Sequence, residues 1–425
     1  MLVLALSLAA LVAQPDTASR PAPADTVEVV DTVEVVDTDV PSLGRQTRVR
    51  PIISLGSLYS ESKGFGIGGG VGVDGLLRRG DLFEAEVRLS QRLQGALGEY
   101  ITADPARARL FGHFGAAFWT TSRTRFVGHG PDSPADAELF LDRFAAEGEA
   151  RLGWAPRSGG AVLIEPTVRL RYDRLRGFEE TEPGELDEVT AEDLARLRDL
   201  RGEDRLGGEA ALIAVLDTRD IPSMPSEGVY VQGEAARFQA FDGSGLGFTR
   251  VQALAYGFRP ALLQLPFIPE RGALFVRFNG VVTRQDGDDP LPWVYLPDLN
   301  EDLLVGYPRS EFVGRDALSL SVGARGVIGQ AIGAFLVEGV GTAMVGAAYD
   351  NVFEQFTPRV RYSADRVEEG GAVPFKPSLA VGLNVRFIDR ERPIIGGLVG
   401  VGPGGVSFAS IRLVHGLRNY RPRLW

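Results

Sequence analysis

Between residues 316 and 328 the chain alternates. Leu318, Leu320, Val322, Ala324, Gly326 and Ile328 fall on one parity, and Ser319, Ser321, Gly323, Arg325 and Val327 fall on the other. The pleat of a β-strand sends successive side chains to opposite faces, so this period of two predicts a strand between two different surroundings. The pattern returns at 83–89 around Glu84, Glu86 and Arg88, at 144–154 around Glu147, Glu149 and Arg151, at 162–172 around Glu165, Arg169 and Arg171, and at 379–387 around Asn384 and Arg386. Soluble strands usually stop at about 5–6 residues, whereas a strand tilted by about 45° needs about 9–11 to cross the hydrocarbon of a bilayer. These lengths predict an all-β protein, a transmembrane antiparallel β-barrel with apolar side chains toward lipid and ionised ones toward a wet lumen. A soluble barrel or sandwich, which also alternates, is the competing reading.

Candidate strands fall at 48–59, 64–77, 81–94, 107–120, 138–154, 161–176, 205–219, 227–241, 247–263, 271–284, 316–329, 332–344, 376–388, 394–402 and 405–417, fifteen in all. Single-chain bacterial barrels have an even number. The expectation is therefore about 16 strands, with the missing one before residue 284 and first sought within 95–135. Short links at 78–80, 155–160 and 242–245 fit periplasmic turns, and long ones at 177–204, 285–315 and 345–375 fit outer loops. The 177–204 link carries Glu179, Glu180, Glu182, Glu185, Asp187, Glu188, Glu192 and Asp193 with a helical stretch at 191–200, which reads as an acidic outer lid.

Composition narrows the class. No apolar run reaches the length of a membrane-spanning helix, and hydropathy averages to zero, as it does when charged lumen positions offset lipid-facing ones. A net charge of −11 without a basic stripe excludes nucleic acid as a partner. There are no cysteines, hence no disulfide, thiolate metal site or acylated cysteine anchor. Residues 1–14 read as a signal peptide around the apolar run 2–12, although no Lys or Arg precedes it; a buried N-terminal strand is the alternative. Residues 15–47 read as an acidic periplasmic tail or linker in which the hexapeptide 25–30 is repeated at 31–36, and 48–425 as the outer-membrane barrel.

Catalytic signatures are thin. The histidines are His113, His129 and His415, and no hydrolase or metal-ligand spacing appears, so the chain is read as neither an enzyme nor a metal or cofactor binder. Residues 64–69 match G-x-G-x-x-G, but Phe65, Ile67, Val71 and Val73 continue one apolar face while Gly64, Gly66, Gly68, Gly70 and Gly72 line the other. That is a strand and not the loop that opens a dinucleotide-binding helix. The final strand carries Gly404, Gly405, Ser407, Ser410 and Gly416, which predicts a weakly held register where the last strand meets the first.

Three segments resemble a family. Asp217-Thr218-Arg219-Asp220 followed by Pro222, Pro225 and Gly228 resembles the strand-turn-strand signature of the BamA/TamA superfamily of bacterial surface antigen barrels, and 125–130 is similar to its R-F-Y-G-I-G element. Val305-Gly306-Tyr307 followed by Phe312-Val313-Gly314-Arg315-Asp316-Ala317-Leu318 is similar to that family's lumen loop, with five candidate strands after it, which implies that the loop near 285–315 folds inward. Trp425 resembles the aromatic terminal sorting signal of bacterial outer-membrane proteins. The resemblance implies an integral outer-membrane barrel that assists insertion or translocation of protein or lipid. Its implied partners are outer-membrane lipids, a client protein or lipid, and a separate periplasmic partner or chaperone, because the POTRA-type periplasmic modules of assembly members find no counterpart in this sequence. The family's loop arginine corresponds here to Val305. The resemblance therefore implies that Arg309 or Arg315 faces Glu338, the candidate for the family's acidic lumen partner. A passive pore or structural surface antigen is the alternative function, and a membrane-bound lipase partner a more distant one.

Overall fold

A computed structural model describes residues 48–413 apart from 55–58, 61–63, 104–107, 127–138, 157–160, 180–203, 221–224, 262–271, 288–290, 300–303, 308–312, 332–334, 363–366 and 388–392 and the single positions 79, 298, 369 and 404. The strands are β1 (Arg48–Ser54), β2 (Tyr59–Ser60), β3 (Gly64–Asp74), β4 (Leu82–Ser90), β5 (Leu93–Ile101) and β6 (Leu110–Phe126). They continue as β7 (Leu139–Trp154), β8 (Val162–Glu179), β9 (Asp204–Asp217), β10 (Gly228–Ala240), β11 (Gly247–Pro260) and β12 (Ala273–Gln285). The last are β13 (Asp316–Ala331), β14 (Phe335–Tyr349), β15 (Phe356–Val360), β16 (Val373–Phe387), β17 (Pro393–Gly402) and β18 (Gly405–Leu413).

β1 and β2 both pair with β3 as two halves of one first strand. From β3 each strand pairs antiparallel with the next as far as β14, which pairs with β16, and the series runs on to β18. Of the eighteen strands, β1 and β2 count once and β15 lies parallel to the start of β16 outside the series, which leaves sixteen antiparallel strands. The strand absent from the fifteen candidates is β5, which begins two residues before the stretch 95–135 and runs into it. Among the described residues the two ends of the series meet at a single pair, Ile411↔Tyr59.

The sheet is inside out. On β8, Val168 and Leu170 are 59% and 54% exposed while Arg169 between them is 5% exposed. The same inversion holds for Val251 against Arg250 and Gln252, for Val322 against Ser319 and Ser321, and for Leu379 and Val381 against Lys376, Ser378 and Ala380. Apolar side chains left in the open around a ring of buried charges fit a bilayer outside and a filled lumen inside. The GxGxxG segment lies within β3, paired on both sides, with Ile67 exposed on the outer face, so it is a strand as expected.

Residue 48 and residue 413 lie at one rim, with the links 75–81 and 218–227; the links 286–315 and 350–372 leave the opposite rim. One expectation is corrected here. The short turn 242–245 joins β10 to β11 at the long-loop rim, not at the rim of the chain ends, because a short hairpin connection is possible at either edge. The expected lid at 180–203 with its helix, segments 1–14 and 15–47, and Trp425 lie outside the described residues.

Candidate functional site

The lumen is filled in layers that β8 reads off in order. At the chain-end rim Leu163 joins Phe111, Ile213, Val215, Tyr230 and Leu254 in a buried apolar cluster. Midway, Arg169 sits among carboxylates from three other strands: its Nε lies 2.7 Å from Glu149 on β7, and its Nη1 lies 2.5 Å from both Glu209 on β9 and Glu234 on β10. Arg151 shares Glu149 at 2.5 Å. Register makes this cluster, because Glu149 and Glu209 both stand opposite Arg169 in their ladders and Glu234 comes from the next strand but one. Toward the long-loop rim, Arg143 and Arg171 both bond Asp173.

The connection from β12 to β13 enters this space. Its first part is a 3-10 turn, Trp293–Tyr295, whose Tyr295 packs with Phe238, Phe248 and Leu291. Arg171 lies 4.9 Å over the Tyr295 ring and donates to the Val294 carbonyl at 3.0 Å, and buried Arg250 donates to the Tyr295 carbonyl. Burial pushes the Tyr295 hydroxyl up to about 12, helped by the charge of Asp173, so it stays neutral in any ordinary medium.

The second part crosses to the opposite wall. Leu299, Leu304, Val305 and Tyr307 pack with Ala317, Met344, Ala348, Ala380 and Leu398. Each wall residue faces inward, since Met344 stands opposite Ser321, Ala348 opposite Ala317, and Ala380 opposite Gly400. Glycines of β17 make the seat. A Cβ on Gly400 would stand 2.4 Å from Val305 Cγ1, and one on Gly402 would stand 2.9 Å from the Tyr307 ring. Gly306 has φ +102°, and its own Cβ would meet the backbone of Val401 at 2.7 Å, so the loop must carry glycine there too. Tyr307 Oη donates to the Pro377 carbonyl at 3.1 Å.

The motif after β9 is also assembled. Arg219 forms a forked pair with Asp217 at 2.8 and 2.7 Å and lies 4.5 Å over the Tyr230 ring. Thr218 Oγ1 accepts from Val229 N–H at 3.0 Å, and Asp220 accepts from the Ser226 and Glu227 N–H groups at 2.9 and 3.2 Å. Gly228 has φ +103° with the Thr218 carbonyl where a Cβ would be. The Pro225 carbonyl accepts from Arg325 on β13, which also lies 5.9 Å over Phe258.

The expected arginine partner of Glu338 is corrected in part. Glu338 is buried in the lumen wall opposite Val327, whereas Arg315 precedes the pair Asp316↔Tyr349 at the far rim. Eleven residues of β13 separate the two levels, roughly 36 Å at strand rise, so Arg315 cannot reach Glu338. Arg309 lies outside the described residues. Arg325 shares the lumen face with Glu338 at this level, on the diagonal of adjacent pairs Arg325↔Val340 and Val327↔Glu338. Sequence reading missed Arg325 as a site residue, along with Arg250 and the glycine seat. The alternation of Gly396, Gly400 and Gly402 on one parity of β17 was the available signal. Val305, read as a departure, is an apolar anchor: it is buried against glycine with no charge to satisfy. Among the described residues no group of three or more His, Asp or Glu is placed to hold a metal ion.

No family model matches this sequence, and no curated protein matches it by sequence. Solved structures do match. BamA from Haemophilus ducreyi lacking POTRA domains 1–3 is similar with a TM-score of 0.56 at 10% identity, over 86% of this chain and 69% of that one. CdiB from Escherichia coli is similar with a TM-score of 0.50 at 9% identity, over 85% of this chain and 61% of that one. The chain thus spans less than two thirds of the CdiB length. At such identities the likeness is one of fold, and that fold is the bacterial outer-membrane barrel.

Proposed function

From the premise that this chain is built as a BamA-type outer-membrane barrel, we propose that it assists insertion or translocation of protein or lipid at the outer membrane, working with a separate periplasmic partner and without catalysis of its own. One observation carries the reading. The lumen loop rests through Val305 and Gly306 on Gly400 and Gly402 of β17, one strand away from the seam where Ile411 of β18 pairs with Tyr59 of β2. A loop seated one strand from the seam couples the state of the bore to it. The filled lumen argues against a passive pore, the competing reading.

Two measurements separate them. Deleting residues 304–315 should raise planar-bilayer conductance strongly if the loop gates the bore, and almost not at all if it lies on the surface. Reconstituted with an unfolded barrel client, the protein should accelerate client folding, and a Tyr59→Cys/Ile411→Cys cross-link across the seam should abolish that gain. Unchanged client folding rates with the wild-type chain would remove assembly from the reading.

A further inference from the structure

The described part of the connection from β14 to β16 folds down the outside of the wall. Leu318, Ala347, Tyr349 and Val373 share the outward parity of exposed Val322 and Leu379, yet all four are buried. Val352 and Val367 of the connection cover them, together with Phe278, Val282 and Phe375. A pin fixes this flap. Asp316, outward on β13 and fully buried, accepts from the Thr283 N–H at 2.8 Å, the Val352 N–H at 2.9 Å and Arg284 at 3.0 Å. The Asn351 side chain then caps a one-turn helix, Val352–Gln355, that leads into β15.

The flap's other surface is unusual for a loop in water. Phe353 and Tyr362 are 77% and 71% exposed, and Phe356 and Val360 are about half exposed beside them. Basic groups are interleaved: Arg284 lies 5.2 Å over the Phe353 ring, and Arg359 and Arg361 stand 3.5 and 3.7 Å from Glu368. This surface continues the lipid belt, because the Phe356 ring packs edge-on to Phe375, which begins the outward stripe that runs through Leu379, Val381 and Leu383. Aromatic side chains gather where a barrel passes from hydrocarbon to headgroups, and long arginines keep their charge in that zone while their stems stay apolar.

We propose that residues 352–362 are a membrane-interface foot: Phe353, Phe356, Val360 and Tyr362 bed in the outer leaflet, and Arg359 and Arg361 meet lipid phosphates. The occupant is the bilayer and not a second protein, since the patch is continuous with the lipid-facing belt and hangs on the outer side of the wall. The chain has no cysteine, so single labels are clean. Phe353→Cys and Tyr362→Cys, each carrying an environment-sensitive fluorophore, would be reconstituted with phosphatidylcholine and phosphatidylglycerol vesicles beside two controls. Val381→Cys marks the belt, and Ser244→Cys marks the water-exposed turn of the same rim. Quenching by spin-labelled lipid should reach about half or more of the Val381→Cys value, with iodide quenching at least about threefold weaker than at Ser244→Cys. Iodide access equal to that of Ser244→Cys would overturn the foot. Shielding that grows with protein concentration in detergent would assign the patch to a second copy, and would overturn it as well.

Discussion

The wall from β6 to β9 and the wall from β16 through β18 to β3 are made of the same strands in different materials. The first has strands of 17, 16, 18 and 14 residues whose inward side chains lock in charge clusters around Arg169 and Asp173. The second carries inward glycine instead: Gly66, Gly68, Gly70 and Gly72 on the 11-residue β3, Gly382 on the 15-residue β16, and Gly396, Gly400 and Gly402 on β17. One side holds shape through its own side chains. The other borrows it from the loop that lies on it.

The largest effect is expected on the charged side. Arg169→Met should leave Glu149, Glu209 and Glu234 facing one another in a buried site and cost about 3–5 kcal/mol, the usual penalty for orphaning buried charge. Denaturant unfolding of the reconstituted barrel measures it, and a loss below about 1 kcal/mol would show that lumen water solvates the cluster and would dissolve the contrast. On the glycine side, Gly400→Leu should cost less, about 1–3 kcal/mol by overpacking, but should raise conductance by evicting Val305. A variant that is destabilised with unchanged conductance would mean that the loop repacks in place. Gly228→Ala tests whether the motif turn belongs to the stiff side. A side chain at φ +103° against the Thr218 carbonyl should cost about 1–3 kcal/mol in the same unfolding measurement.

The smallest effect lies outside the sheet. Burial alone would raise the Asp81 carboxyl, but hydrogen bonds from Tyr100 Oη, Leu77 N–H and Arg78 N–H outweigh it and hold its pKa below the ordinary value. A depressed folded pKa stabilises above the unfolded value and fades as pH falls through the folded one. Asp81→Asn should therefore melt lower than wild type at neutral pH by the equivalent of about 1 kcal/mol, and the gap should close below about pH 4. A gap that persists in acid would trace the loss to packing.

The fold was legible because alternation survives wherever lipid and lumen differ, as at 162–172 and 316–328. β5 was hard to read because its inward positions mix Leu93, Gly95 and Leu97 with Glu99, leaving no polar parity. The site was half legible. Residues 305–307 and 217–220 could be picked out from local motifs, but their partners are set by register: only the ladders show that Arg325 and not Arg315 lies at the level of Glu338. The outside flap left no trace in the pattern, since Leu318 and Tyr349 occupy the same parity whether lipid or protein covers them.

The bore is obstructed from both mouths. The Pro225 carbonyl before Gly228 reaches Arg325 from one end, and Val305 and Gly306 lean on Gly400 from the other. A solute on the central axis meets two latches in series, so cutting away the loop should lift ionic current strongly and freeing the Pro225 turn as well should lift it a second time.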